Sequence, residues 1–261
     1  MTGSDVRYEL DGAVAVVTID RPERRNAMSF AVMQGLRDAV ARAGADPAVR
    51  VVVITGAGDR AFCAGADLAA DGGSASDGAE AHDRRGLLAD LFRDLREIGK
   101  PVIAKVRGYA LAGGFGLACA CDIVVAAEDA VFGTPEVRIG LWPYMITVPL
   151  LRSMPPKTAL ELMMTGRRVD AHEGARIGFV QRVVPGDRLD AAVAELAAEL
   201  AAGSPVAMRW GREAFYRVLD LDEDAALDYL QAMLTVTSAT EDAAEGIAAF
   251  AEKRPPRWSG R

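Results

Sequence analysis

The sequence predicts a layered α/β core followed by a helical C-terminal region. Three observations carry this. Short β-rich runs alternate with helical stretches through the first half of the chain. Two small-residue loops each follow an apolar run that reads as a strand. Beyond about residue 145 strand patterns almost vanish and helical spacing takes over.

Taken in order, residues 14–19 (VAVVTI) read as a strand, and residues 20–26 form a turn-rich loop around Pro22. Ser29 is placed to cap a helix that runs to about Ala45, with Met33, Leu36 and Val40 at helical spacing. Residues 51–55 are a strand, residues 82–98 a helix with Leu87, Leu88, Leu91, Phe92 and Leu95 as its buried stripe, and residues 102–106 a strand. A helix starts at Gly113-Gly114, and residues 123–126 and 131–133 are short strands. Downstream, residues 180–184 keep a strand signal, while residues 157–165, 189–202, 206–218, 224–237 and 242–250 read as helices. The last of these carry Leu227, Leu230, Met233, Leu234, Ile247 and Phe250, a stripe that must bury itself on the core or on another subunit. Residues 69–78 are Gly, Ala, Ser and Asp only, which suits a mobile lid or a plain surface loop.

Composition bounds the function. A chain of 261 residues with 51% hydrophobic content can bury one large core. The net charge of -7 speaks against a nucleic-acid partner, because a phosphate backbone needs a basic face. No apolar run approaches the roughly 18 residues of a membrane span. The N-terminus lacks the basic start and apolar stretch of a secretory signal. Cys63, Cys119 and Cys121 are odd in number and set among small or apolar residues, so free thiols in a reducing cytoplasm are expected.

The two loops carry the chemistry. Ala61-Phe62-Cys63-Ala64-Gly65-Ala66-Asp67-Leu68 and Gly108-Tyr109-Ala110-Leu111-Ala112-Gly113-Gly114-Phe115-Gly116 leave the main chain free for contacts. Two such loops at the ends of neighbouring strands can aim two backbone N–H groups at one point, as an oxyanion hole requires. Glu136, between Pro135 and Val137 in an apolar stretch, is a candidate general base whose pKa burial would raise. The competing reading is a surface glutamate that closes a turn. Other chemistries fit poorly. The run from Gly56 to Ala61 fits G-x-G-x-x-A but is not followed by a helical stripe, so hydride transfer is disfavoured. There is no G-x-S-x-G, and His82 and His172 read as solvent-side or capping residues. Cys119-Ala120-Cys121 is too close-set for a zinc pair.

Several motifs recur in a familiar order: residues 20–29 (DRPERRNAMS), 61–68, 108–122, 132–136 (FGTPE), Thr165-Gly166 followed by 171–184, and Glu245-Gly246 through Lys253-Arg254. With this order and spacing the chain resembles the crotonase, or enoyl-CoA hydratase/isomerase, superfamily over nearly its whole length. The resemblance implies a spiral of ββα turns with two roughly perpendicular sheets over residues 1–200. It implies a C-terminal helical trimerisation region over 201–261, in a homotrimer or a dimer of trimers. The substrate would be an acyl-CoA thioester, with coenzyme A carried by the substrate and no separate cofactor or metal. The thioester oxygen would rest on the N–H groups of Ala66 and Gly113, with Glu136 moving the proton. Arg24, Ala27, Ala64, Gly65, Asp67 and Leu68 would border the CoA portion, and Lys253 or Arg254 would reach its phosphates. Tyr109, Gly114 and Thr134 would complete the substrate site.

The chain also departs from the family pattern. Hydratases of the family usually carry a second glutamate three residues after the oxyanion glycine, where this chain has Gly116. The stretch at 140–145 (GLWPYM) replaces a Gly-rich one, so Trp142 and Tyr144 either shape the acyl pocket, Tyr144 holding a water, or simply pack. One carboxylate suffices to shift a double bond, so Δ3,Δ2-enoyl-CoA isomerisation is the leading expectation. Hydration of a 2-enoyl-CoA is the alternative, and non-catalytic acyl-CoA binding the third reading. On this view Gly116→Glu should raise hydration relative to isomerisation. Asp122 resembles a structural position bonded to main chain.

Overall fold

The computed structural model describes residues 5–67 and 78–261. Leu68 and residues 69–77 of the small-residue segment therefore lie outside the described residues. The elements run β1 (Val6–Asp11), β2 (Val14–Ile19), α1 (Phe30–Ala45), β3 (Val51–Gly56), β4 (Ala61–Cys63), α2 (Gly78–Glu97), β5 (Val102–Val106), β6 (Tyr109–Leu111) and α3 (Gly113–Ala120). Then follow β7 (Ile123–Ala127), β8 (Val131–Gly133), α4 (Thr147–Ser153), α5 (Pro156–Thr165), β9 (Arg168–Asp170), α6 (Ala171–Ile177) and β10 (Arg182–Val184). Four helices close the chain: α7 (Leu189–Ala201), α8 (Pro205–Val218), α9 (Glu223–Ser238) and α10 (Glu241–Glu252).

The strands form two sheets, one ordered β1-β2-β3-β5-β7-β10 and a smaller one ordered β4-β6-β8-β9. Successive turns of the chain place one strand in each sheet before the next helix: β3 then β4, β5 then β6, β7 then β8. Each turn therefore advances both sheets by one place, and the strands it adds are parallel to their predecessors. This is the spiral that the family resemblance implies.

Local signals account for most boundaries. Ser29 caps α1 by accepting from the Val32 N–H. Asp170, Asp222 and Thr240 do the same for α6, α9 and α10. β3 reads as an unbroken apolar run because both faces are covered. One side of it joins the main core, and the other, with Val51, Val53, Ile103 and Val125, packs on Leu189, Val193 and Leu196 of α7. Phe115, Phe132 and Phe179 stack edge to face at 4.9 to 5.5 Å, tying α3, β8 and the segment after α6 into one centre.

Some elements differ from expectation. α2 begins at Gly78, earlier than the apolar stripe suggests. β1 pairs antiparallel with β2, and three-residue β9 closes the small sheet against β8. β9, α4 and α6 are too short to give a periodic signal. At the C-terminal end, Arg212 of α8 reaches Asp122 at 2.8 Å and caps α2 by donating to the Leu95 and Arg96 carbonyls. Asp122 also accepts from the Val102 N–H and the Tyr216 hydroxyl, so its role is structural. No single helix among the described residues is long and apolar enough to cross a membrane.

Candidate active site

Three neighbouring strands of the small sheet, β4, β6 and β8, run parallel and end at the same edge. Ala66 follows the last residue of β4, Gly113 the last of β6 and Glu136 the last of β8, each within three positions. Parallel strands sit about 4.8 Å apart, so the sheet brings the segments carrying all three residues to one edge. The carboxyl ends of parallel strands are where open α/β folds hold ligands.

The two loops touch. Gly65 has φ +100°, and a Cβ there would stand 2.7 Å from Ala112 Cβ and 3.6 Å from the Gly113 nitrogen. A Cβ on Gly114 would collide with the Cys63 carbonyl and lie 2.8 Å from Cys63 Cβ. Only glycine permits this approach. On the first loop, Met28 pairs with Ala66: the Met28 N–H donates to Gly65 O at 2.8 Å, and the Asp67 N–H donates to Met28 O at 2.9 Å. In such a parallel bridge the Ala66 N–H points away from Met28. On the second loop, Gly113 is the first residue of α3, so its N–H has no acceptor within the helix and stands at the positive end of the helix dipole. Ala112, just before it, holds φ 50° and ψ -126°, a strained conformation for a residue with a Cβ. The Ala112 N–H donates to the Gly133 carbonyl at 2.9 Å, which fixes this loop to the strand that leads to Glu136.

Glu136 sits in the single 3-10 turn Pro135–Ile139. Its Oε2 is buried without a hydrogen-bond partner among the described residues. Burial pushes its pKa up, partly offset by a hydrogen bond from its own backbone N–H. A half-buried carboxylate with one oxygen buried and unused among the described residues suits a proton carrier better than a turn-closing surface residue.

Comparison with known proteins accords with this geometry. The family model described as enoyl-CoA hydratase/isomerase matches residues 9–261. The chain belongs to that family. A putative enoyl-CoA hydratase of Thermus thermophilus is 41% identical, over 95% of this chain and 98% of its own length. A carnitinyl-CoA dehydratase of Proteus mirabilis is 37% identical, over 96% of each. A crystal structure of an enoyl-CoA hydratase from Bacillus anthracis superposes with a TM-score of 0.93 at 31% identity, covering 98% of this chain and 100% of that one.

Within this hydratase/isomerase family member the position of the second carboxylate is filled. A Cβ built on Gly116 would overlap Ile146 Cγ2, lie 2.6 Å from Ile146 Cβ and 3.3 Å from Phe92 Cζ. The expectation that Gly116→Glu alone would promote hydration is therefore corrected: nothing larger than glycine fits while Ile146 stays in place. The only trace of this in the sequence is the altered stretch at 140–145, which precedes Ile146.

Several other expected site residues are already engaged within the fold, and others are exposed. The Asp67 carboxylate is buried 2.9 Å from Arg21 Nη2, which makes it a brace for the first loop. The Thr134 hydroxyl is fully buried and donates to the Leu162 carbonyl at 2.9 Å, so it holds α5 in place. The Ala27 carbonyl accepts from Arg21 at 2.7 Å, and the Ala64 N–H donates to Arg25 O. Tyr109 lies half-buried in β6 with the Arg168 guanidinium 5.2 Å from its ring centre. Arg24 is exposed on the 3-10 turn Pro22–Arg24, beside a cleft of about 260 Å³ lined by Pro22, Glu23, Asn26 and residues 57–61. Trp142 packs on the core, whereas Tyr144 is 76% exposed. Lys253 is exposed at the left-handed end of α10, which packs on α8 and α9, while Arg254 is taken by Glu245 and Glu252.

Sequence reasoning missed Asn26. It is fully buried, donates to the Ala57 and Ala61 carbonyls and accepts from the Arg21 N–H, so it knots both sides of the first loop. The Gly-rich run before that loop leads into β4 and not into a helix, which excludes a dinucleotide turn. All three cysteines are free and buried, and burial pushes the Cys63 and Cys119 thiols up to about 12, which keeps them unreactive.

Proposed function

We propose that this chain is an acyl-CoA enzyme that moves one proton with one carboxylate, and that its reaction is the shift of a double bond along an enoyl-CoA. The arrangement that supports this reading is the delivery of Ala66, Gly113 and Glu136 to one edge of the small sheet. The thioester oxygen accepts from the Ala66 and Gly113 amides. Glu136 takes a proton from C2, whose acidity the thioester raises. The C2–H electrons form C1=C2 and the carbonyl π electrons move onto the oxygen, which gives a dienolate with C3=C4 still in place, and the two amides stabilise that charge. Glu136 then returns its proton to C4, which forms C4–H and leaves a 2-enoyl-CoA with the carboxylate restored. Each oxyanion donor contributes roughly 3 to 4 kcal/mol to such a step, and a positioned base about 10²- to 10⁴-fold in rate.

A second reading, addition of water to a 2-enoyl-CoA, is favoured by the names of the relatives, which are hydratases and a dehydratase. One experiment separates the two: purified protein with crotonyl-CoA and with a 3-enoyl-CoA in deuterated water, followed by NMR. Double-bond migration with deuterium at C2 and C4 supports isomerisation, and water addition to crotonyl-CoA supports hydration. If Glu136→Gln and the parent are equally inert while both bind acyl-CoA, the chain is a binder and the catalytic reading fails.

We further infer a homotrimer or a dimer of trimers. The support is two unpartnered apolar faces: Ile139, Leu141 and Tyr144 beside Glu136, and Leu234, Ile247 and Phe250 on the last helices.

A further inference from the structure

We propose that Ile146 is the specificity-determining residue of this site, because it fills the place above Gly116 and keeps water from the reacting carbons. The inference rests on the single-carboxylate reading above.

Gly113 and Gly116 stand three residues apart on α3 and share one face of it. The atoms nearest to a Cβ built at either glycine are all carbon. Over Gly113 they are Met28 Cε at 3.0 Å and Leu88 Cδ2 at 3.8 Å, and over Gly116 they are Ile146 and Phe92 Cζ. Met28 is fully buried, Ile146 is 2% exposed and Leu88 is 7% exposed. A trapped water needs two to four polar partners, and none of these nearest atoms is one. Ile146 is also rigidly held. It directly precedes α4, its carbonyl accepts from the Leu150 N–H, and its branched Cβ restricts it to few rotamers. Water for an addition would therefore have to be activated without help from the α3 side, whereas proton return by Glu136 needs no water at all.

Ile146 acts on the partition between two outcomes, and the test reads that partition. Full-length protein is incubated with crotonyl-CoA and with a 3-enoyl-CoA in deuterated water, and the ratio of water addition to Glu136-dependent proton exchange is measured. Ile146→Ala should raise that ratio by about tenfold, equivalent to 1.4 kcal/mol of differential barrier. Ile146→Thr, which keeps the branched Cβ, is one carbon shorter and carries a hydroxyl that can hold a water, should raise it as well and serves if the alanine variant does not fold. Gly116→Glu alone should fail to fold or lose exchange, and adding Ile146→Gly should restore a cooperative melt and water addition. An unchanged ratio in the folded Ile146 variants, or a well-folded and hydrating Gly116→Glu single variant, overturns the proposal and leaves the role of Glu136 intact. Exchange that survives Glu136→Gln instead overturns the single-carboxylate reading itself.

Discussion

The Asp67 carboxylate is held 2.9 Å from the Arg21 guanidinium, one residue past the Ala66 amide. Arg21 also donates to the Ala27 carbonyl, and its backbone N–H donates to the Asn26 side chain. The amide that would hold the thioester oxygen is thus fixed by an ion pair that lies almost wholly inside the protein. Arg21→Met removes the guanidinium from a buried carboxylate and should cost about 3 kcal/mol or more in urea denaturation. Asp67→Asn keeps the shape and should cost less. A variant as stable as the parent would show that the pair does not brace the loop.

Glu136 makes a paired prediction on activity and stability. Glu136→Gln should lower kcat/KM by about 10²- to 10⁴-fold. In the parent, kcat/KM should fall as pH drops through the raised Glu136 pKa, with an inflection above the ordinary value of 4.5. The stability effect has the opposite sense to that of a salt-bridged acid. The folded chain binds the Glu136 proton more tightly than the unfolded chain does. Stability is therefore lost as pH rises from the ordinary carboxylate range through the raised value. At neutral pH the glutamine variant should melt at the same temperature as the parent or higher, and the two should converge in acid. A variant that melts lower at neutral pH would indicate a partner for the carboxylate.

Contact between the loops makes Gly114 intolerant. Gly114→Ala must move a Cβ off the Cys63 carbonyl, and the loops can give only by parting. Overpacking of this kind costs about 1 to 3 kcal/mol. Because the Gly113 amide moves with it, kcat should fall more than KM rises. Steady-state kinetics with the melt recorded alongside would separate the two effects, and an unchanged kcat in a folded variant would place the reacting oxygen elsewhere.

Exposed apolar residues on the last helices predict assembly. Phe250 is 87% exposed and Ile247 71% in the single chain. Light scattering should return a multiple of the monomer mass, three or six. The pair Phe250→Glu and Ile247→Glu should shift it toward the monomer while leaving the helical signal intact. A monomeric parent would refute this expectation.

Much of the scaffold is written locally in the chain. Residues 51–55 and 102–106 announce strands by unbroken apolar runs, and Ser29 announces a helix by its capping hydroxyl. The two small-residue loops, and the candidacy of Glu136, are equally local, because glycine spacing and an acid in an apolar stretch are visible within a few residues. The sequence by itself thus determined the alternation of the longer strands and helices and which main-chain segments are free to bind.

Only the tertiary structure decided how those segments meet. It turned Thr134 and Asp67 inward onto Leu162 and Arg21, left Tyr144 in solvent, and set Ile146 on Gly116. Apart from the altered stretch at 140–145 that precedes Ile146, none of these has a sequence signature. Propensity and capping act between near neighbours along the chain, whereas side-chain packing is settled between residues that the spiral brings together from different turns.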